Sequence, residues 1–269
     1  MKKNKVNRRT FLTNILSNLT LLFLSNAFFS KRLNAKSKPR IVIIGMGIGG
    51  ATCLRYLYKF SEFIEIIVVE KNKRIRTGPF SNLVIGNILK QDDISFIINE
   101  KKYKEVKFIY EDVRFIDAEK KIISISNKLS FSFDFVILSP GVSFKDDIIE
   151  GYKSTNKKII PHCWDGESDI SDFKKHLSEL DDNSKIIISS PDYPYRCPPA
   201  PYERASLIAN YHKELKKNVK ILILDSKDSF TKQENFFKEW DLNYKNIIEW
   251  IPRKKGGKVI FFDPKKKFV

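Results

Sequence analysis

Residues that build metal centres and hydrolytic triads are scarce in this chain. Its 269 residues include three cysteines and three histidines. Cys53, Cys163 and Cys197 are widely separated, as are His162, His176 and His212, so no metal cluster and no Ser-His-Asp arrangement is expected. Glycine is also sparse, with 11 residues, and none lies between Gly166 and Gly256. That excludes a glycine-rich phosphate loop from most of the C-terminal half. A long apolar run is missing too. The most apolar early stretch, Ile15 to Phe29, is interrupted by Ser17, Asn18, Thr20, Ser25 and Asn26. A bilayer crossing takes about 20 mostly apolar residues, so no stable membrane span is expected, the alternative being an uncleaved anchor here.

Charge is abundant but diffuse. The net charge is +17, from 49 Lys and Arg against 32 Asp and Glu. Residues 1–35 hold seven of the basic residues and no acidic one, which leaves 42 against 32, or +10, for the remainder. The lysines lack the basic-aromatic interleaving of a nucleic-acid surface, so no nucleic-acid partner is expected. A moderately basic surface can still steer an acidic protein partner. The basic start contains Asn7-Arg8-Arg9-Thr10-Phe11-Leu12. Arg-Arg-x-Phe-Leu is the core of a twin-arginine export signal, and Leu33-Asn34-Ala35 is a passable cleavage site. Residues 1–35 are therefore read as a signal peptide and the periplasm as the destination, where cysteines can be oxidised.

The stretch from Arg40 to Leu57 organises the rest. Ile41 to Ile44 read as a buried strand of a parallel sheet. Gly45-Met46-Gly47-Ile48-Gly49-Gly50 follows and opens a helix-period segment, with Gly45, Gly47 and Gly50 spaced G-x-G-x-x-G. The first glycine allows the tight turn, the second admits a pyrophosphate to the backbone, and the third lets helix and strand pack closely. The phosphates then meet the free N–H groups of a helix N-terminus. Ile64 to Glu70 is the next strand, and Glu70 lies where a ribose-binding carboxylate is expected. The bland alternative is a glycine-rich turn with a solvated acid.

Lys71 to Gly86 is a polar, glycine-punctuated loop suited to lying along a cofactor, with Ser81 and Asn82 within it, or else a plain surface connection. Residues 91–99 look helical and Val106 to Tyr110 reads as a strand, ending near Val113. The runs Arg114–Asp117 and Lys121–Ser126 suggest a β-meander. Phe133 to Leu138 is a further buried strand, and the Ser139-Pro140-Gly141 turn can bring backbone beside a ligand. Strand, glycine turn, helix, acid-tipped strand, meander and strand-Pro-Gly is the order of FAD domains in flavoproteins with two dinucleotide domains. FAD is favoured over NAD at Gly45, since NAD-only domains usually lack the meander.

A linker runs from Val142 to about Asp165. A helix over Ile170–Leu180, a strand over Lys185–Ser190, a helix from near Pro201 and a strand over Lys220–Asp225 follow. The βα turn between Ser190 and Pro201 holds prolines where a nucleotide-binding turn needs glycines and N–H donors. It presents Cys197 at the mouth of a sheet just before a helix, a position that can make a thiol a better nucleophile. The other reading is a buried cysteine in a proline-stiffened loop. The aromatic-rich Phe236–Trp240 and Tyr244–Trp250 segments are taken as core, and His176 and His212 as surface residues among lysines.

Several strings carry a resemblance: Arg8-Arg9, Gly45-x-Gly47-x-x-Gly50, Thr77 to Gly86 with Ser81-Asn82, Pro161-His162-x-Trp164, and above all Arg196-Cys-Pro-Pro-x-Pro-Tyr-Glu-Arg-Ala-Ser206. Leu224-Asp225-x-Lys-Asp228, Trp240, Tyr244 and Glu249-Trp250 continue it. The sequence resembles the flavoprotein subunit of flavocytochrome c sulfide dehydrogenase, of the FAD-dependent pyridine nucleotide-disulfide oxidoreductase superfamily. The resemblance implies periplasmic oxidation of sulfide to sulfur on FAD, with electrons passed to a c-type cytochrome subunit. It implies that Cys197 is the first of a pair of redox cysteines beside the flavin. Gly45 to Gly50, Glu70 and Lys71 would hold the ADP half. Ser81, Asn82, Val113, Ser139, Pro140 and Gly141 would line the rest.

The sequence departs from the family in two places. Some members attach FAD through a cysteine where this chain has Gly78, so noncovalent FAD is expected. Family members also run further and carry the second redox cysteine there, so the chain reads as C-terminally truncated. His162 with Trp164 is placed either near the site or in a structural role, and pairing of Cys163 with Cys197 is a minor alternative. The expected fold class is α/β, with a signal over 1–35, the N-terminal part of a Rossmann-like FAD-binding domain with β-meander over 36–145, and an incomplete second Rossmann-like domain bearing the redox cysteine over 146–269. The rival readings are a non-catalytic nucleotide-binding relative or a fragment completed by another chain, and an enzyme like sulfide:quinone reductase.

Overall fold

The computed structural model describes residues 38–126, 128–152, 160–164, 170–263 and 265–266. The expected export signal lies outside the described residues. Strand β1 (Arg40–Ile44) pairs in parallel with β2 (Glu65–Val69) on one side. Later strands complete this sheet in the order β5-β2-β1-β9, all parallel, with β5 spanning Val106–Ile109 and β9 Phe135–Leu138. Side chains of β1 alternate between two cores, as the period of a strand requires. Val42 and Ile44 face Ile67, Val69, Ile123, Ile125 and Phe133, while Ile43 faces Leu54, Ile66 and Val68. The first layer is the expected meander, β6 (Val113–Asp117), β7 (Ile122–Ile125) and β8 (Ser130–Ser132). The other is helix α1 (Ile48–Leu57), where Cys53 packs half-buried. A strand covered on both faces has to be apolar throughout, which is why Ile41 to Ile44 is an unbroken run.

Residues 91–99, read as helical, are not a helix. Gln91–Ile94 is a single 3-10 turn, and Ser95–Ile97 is a strand, β4, antiparallel to β3 (Arg74–Arg76). The Asp93 carboxylate accepts from Lys90 N at 2.8 Å and closes that one turn. Beyond Ile94 the chain gains ladder hydrogen bonds against β3, which end the helical signal.

The second sheet is parallel, in the order β10-β11-β12, with β10 spanning Ser184–Ser190, β11 Val219–Asp225 and β12 Ile248–Ile251. Its core gathers α3 (Ile170–Ser178), α4 (Ala200–Glu214) and α5 (Gln233–Asn243). The aromatic segment is core, as expected. Phe230 stacks on Tyr202 with ring centroids 3.6 Å apart and sits among Phe236, Trp240 and Trp250. Val84 and Ile85 of the short helix α2 (Ser81–Ile85) belong to this core as well, although they precede it by a long stretch of sequence. His212, expected on the surface, is fully buried, and its two ring nitrogens lie 3.0 and 2.9 Å from the carbonyls of Ile208 and Leu177. Lys217 Nζ donates to Ser178 O and Leu180 O, both at 2.7 Å, so the C-terminal carbonyls of α3 are closed by two side chains from the α4 region. From Arg40 onward the chain clusters as one unit. Among the described residues, no helix is long and apolar enough to cross a membrane.

Candidate functional site

The glycine turn lies at the C-terminal edge of the first sheet, the place where parallel α/β sheets bind ligands. Its glycines differ in what requires them. Gly45 has φ +89°, and a Cβ there would lie 2.1 Å from Ser139 O. A Cβ on Gly50 would lie 1.8 Å from Gly45 O. Both are demanded by the protein's own packing. A Cβ on Gly47 would meet nothing within 4 Å, so packing leaves its space open for a close approach from outside. Gly47 also caps α1 with no side-chain hydrogen bond, and the first N–H groups of a helix have no intrahelical partner. These features fit a dinucleotide phosphate.

Glu70 follows β2, and its carboxylate spans the turn. One oxygen accepts from Met46 N at 2.8 Å and the other from Asn72 N at 2.9 Å. Both oxygens keep lone pairs for ribose hydroxyls. Ser139 closes the far side, its N–H donating to Ile44 O at 2.8 Å and its carbonyl facing Gly45. Pro140 and Gly141 come next, Gly141 with φ +78° and open space about it. Ile48 and Lys71 are exposed and Met46 is buried. Val113 opens β6 shortly after β5 ends and packs half-buried against the meander core. The structure thus gathers Gly45 to Gly50, Glu70, Ser139 and Pro140 around one turn.

Ser81 and Asn82 face elsewhere. Both are buried and bonded into α4. Asn82 Nδ2 donates to Glu203 Oε2 at 2.6 Å, and Asn82 Oδ1 accepts from Arg204 Nε at 2.9 Å. Arg204 also donates to Ser81 Oγ at 3.4 Å and to His162 O, while its guanidinium stacks 3.9 Å from the centroid of Trp164. All three acceptors are neutral. Burial lowers the pKa of Arg204 to about 10, with Cys163 and Glu203 opposing, so the group is cationic at neutral pH. His162 and Trp164 are therefore tied to this buried guanidinium. Gly78 belongs to the same junction: a Cβ there would lie 2.5 Å from Trp164 O.

Cys197 is exposed at the C-terminal edge of the second sheet, with φ +57°, and its carbonyl accepts from Ala200 N at 2.9 Å where α4 begins. All three cysteines are free thiols, and Cys163 is buried. Beneath the Cys197 loop lies a charged pair named from the sequence only within a string of the resemblance and given no role there. Asp225 and Lys227 are buried, with Lys227 Nζ 2.6 Å from Asp225 Oδ1. Asp225 Oδ2 accepts from Tyr202 OH at 2.6 Å and from Trp250 Nε1 at 2.8 Å. Burial first, and then the Asp225 hydrogen bond, push the Tyr202 phenol far above the ordinary tyrosine range.

Residues 171–269 match the family model for the sulfide dehydrogenase (flavocytochrome c) flavoprotein chain, central region. This C-terminal region is similar to that flavoprotein. The matched range includes β10, the Cys197 loop, α4 and the Asp225–Lys227 pair. Coenzyme A disulfide reductase from Staphylococcus aureus is 30% identical over 128 residues, 41% of this chain and 28% of that protein. The sulfide:quinone oxidoreductase of Aquifex aeolicus shares the fold, with TM-score 0.61, 18% identity, and 80% of this chain against 51% of that one. A NAD-dependent persulfide reductase from A. fulgidus does so with TM-score 0.57, 15% identity, and 78% against 39%. The chain thus spans about half the length of the quinone enzyme and less of the others. The fold is a Rossmann-like α/β fold, shared with these solved structures.

Arg204 and the Asp225–Lys227 pair escaped the reading from residue chemistry because isolated charges in a sequence default to the surface. A signal existed for Asp225. It continues the buried alternation Val219, Ile221, Ile223 along β11, and a carboxylate in a core register has to be paired.

Proposed function

We propose that this chain is the FAD-binding, sulfur-handling part of a sulfide:cytochrome c oxidoreductase. The observation that carries the reading is Cys197, an exposed thiol at the mouth of the second sheet, within the region that matches the flavocytochrome c family. Gly45 to Gly50 and Glu70 would hold the ADP half of FAD, with Lys71, Val113, Ser139, Pro140 and Gly141 beside it. Bound FAD would supply a two-electron acceptor able to release electrons singly to a haem. Sulfide oxidised to the sulfur level releases two electrons and one proton, and the exposed Cys197 thiol is the group that would take the sulfur. The open space over Gly47 is what supports a phosphate there. Noncovalent FAD is supported by Gly78, where a side chain meets Trp164 O before any ligand. A c-type cytochrome partner, the periplasm and the twin-arginine route complete the proposal.

A second reading, a nucleotide-binding relative without catalysis, is favoured by one observation. Ser81 and Asn82 have their side chains committed to Arg204 and Glu203. One experiment separates the two. The purified chain is titrated with FAD and then given sulfide without oxygen, while the visible flavin absorbance is followed. Bleaching in the wild type and none in C197S, with FAD affinity equal in both, supports the enzyme. FAD binding without bleaching in either supports the second reading.

A further inference from the structure

We propose that Lys227 is the positioning residue for Cys197, holding the 191–198 loop from beneath with Asp225 as its counter-ion. The proposal rests on Cys197 being the sulfur-handling thiol and names what fixes that thiol in place.

The loop cannot hold its own shape with backbone hydrogen bonds. Pro191, Pro194 and Pro198 remove three N–H donors from it. Among the described residues, its backbone hydrogen bonds lie only at its ends, Ser226 N to Ser190 O at 3.0 Å and Ala200 N to Cys197 O at 2.9 Å. Cys197 itself sits in left-handed backbone, a state that a residue with a Cβ keeps only when its surroundings impose it.

Lys227 supplies that constraint. An ammonium has three donors, and all three are used: to Asp225 Oδ1 at 2.6 Å, to Ser190 Oγ at 2.9 Å and to Pro191 O at 2.6 Å. The Pro191 bond pins the start of the loop. The same nitrogen lies 4.8 Å from the ring centroid of Tyr195 and 5.4 Å from that of Tyr193, within cation–π range. Tyr195 OH then donates to Pro198 O at 2.7 Å, which pins the end of the loop. Cys197 lies between those two residues. Asp225 is held in turn by Tyr202 and Trp250, so the clamp is anchored in the second core.

The test uses the full chain and two variants. K227M removes the clamp but leaves a buried carboxylate alone. The double variant D225N/K227M removes both charges and keeps the fold assessable by circular dichroism. Trypsin cleavage after Arg196 is followed against cleavage after Lys213 in α4, and iodoacetamide labelling of Cys197 against Cys53. In the folded double variant, cleavage after Arg196 accelerates about tenfold or more while the Lys213 site is unchanged. The Cys197:Cys53 labelling ratio departs about threefold or more from wild type. Sulfide-dependent flavin bleaching loses kcat with KM unchanged. Cleavage and labelling within about twofold of wild type in a folded variant overturn the proposal. If the wild type shows no bleaching, the sulfide reading falls, while cleavage and labelling still decide the role of Lys227.

Discussion

Replacing Tyr202 by phenylalanine removes one oxygen and keeps the ring stacked on Phe230, 3.6 Å away at 15°. What is lost is the hydrogen bond to the buried Asp225 carboxylate, 2.6 Å long. Bonds to charged groups contribute about 1.5–3 kcal/mol, and Trp250 Nε1 continues to serve the same oxygen, so Y202F costs about 2 kcal/mol near pH 8. For a domain of this size that is a fall in Tm of about 4–8 °C. The cost is also pH-dependent, in a sign that the structure fixes. Folded Tyr202 has its pKa raised well above that of the unfolded chain, by burial and by Asp225. The stability tied to its proton is full below about pH 10 and is lost above it, at about 1.4 kcal/mol per pH unit. Y202F has no such proton, so the gap between the two proteins narrows to about 0.6 kcal/mol near pH 11. Other groups titrate alike in both and cancel. Urea unfolding of both proteins between pH 8 and pH 11 measures the gap. A gap that stays constant with pH refutes the Tyr202–Asp225 bond.

The remaining predictions concern the glycine turn and the Arg204 junction. G47A, with nothing within 4 Å of the added carbon, keeps Tm close to wild type but weakens FAD binding about tenfold or more; G50A, whose added carbon falls 1.8 Å from Gly45 O, lowers Tm sharply. Calorimetry and FAD titration separate the two. R204K cannot reproduce a fork that serves Asn82, Ser81 and His162 while stacking on Trp164, and loses about 2–4 kcal/mol in urea unfolding. G78C places a side chain against Trp164 O, lowers Tm and gains no covalent flavin, so acid precipitation leaves a colourless pellet.

Much of the first sheet was legible because its central strands are buried on both faces. Ile41 to Ile44 and Ile66 to Val69 have no polar alternation to obscure them. Phe133 to Leu138 also read as buried, but β9 is an edge strand and leaves Phe135 and Leu138 exposed. The glycine turn was legible for the same local reason. His212 was misread through its neighbours Lys213, Lys216 and Lys217. Helical spacing from Ala205, Ile208 and Ala209 puts it on their buried face, and that period carried the better signal. Residues 91–97 failed differently, since β4 exists only by pairing with β3 and no local pattern records a partner about 20 residues earlier. The junction around Arg204 joins four separate strings, Gly78, Ser81-Asn82, His162–Trp164 and Glu203-Arg204. The sequence named them as separate strings, and only the folded chain shows that they are one object.

That junction also bears on the order in which the chain folds. Helix α2 is too short to stand by itself, and its stabilising partners come much later: the bond from Arg204 to Asn82 spans 122 residues of sequence. During synthesis α2 therefore waits, with Val84 and Ile85 uncovered, until α3 and α4 have been made. A fragment ending near residue 145 would retain those two side chains and lose their cover. The first sheet expressed without the second would then be sticky as well as incomplete.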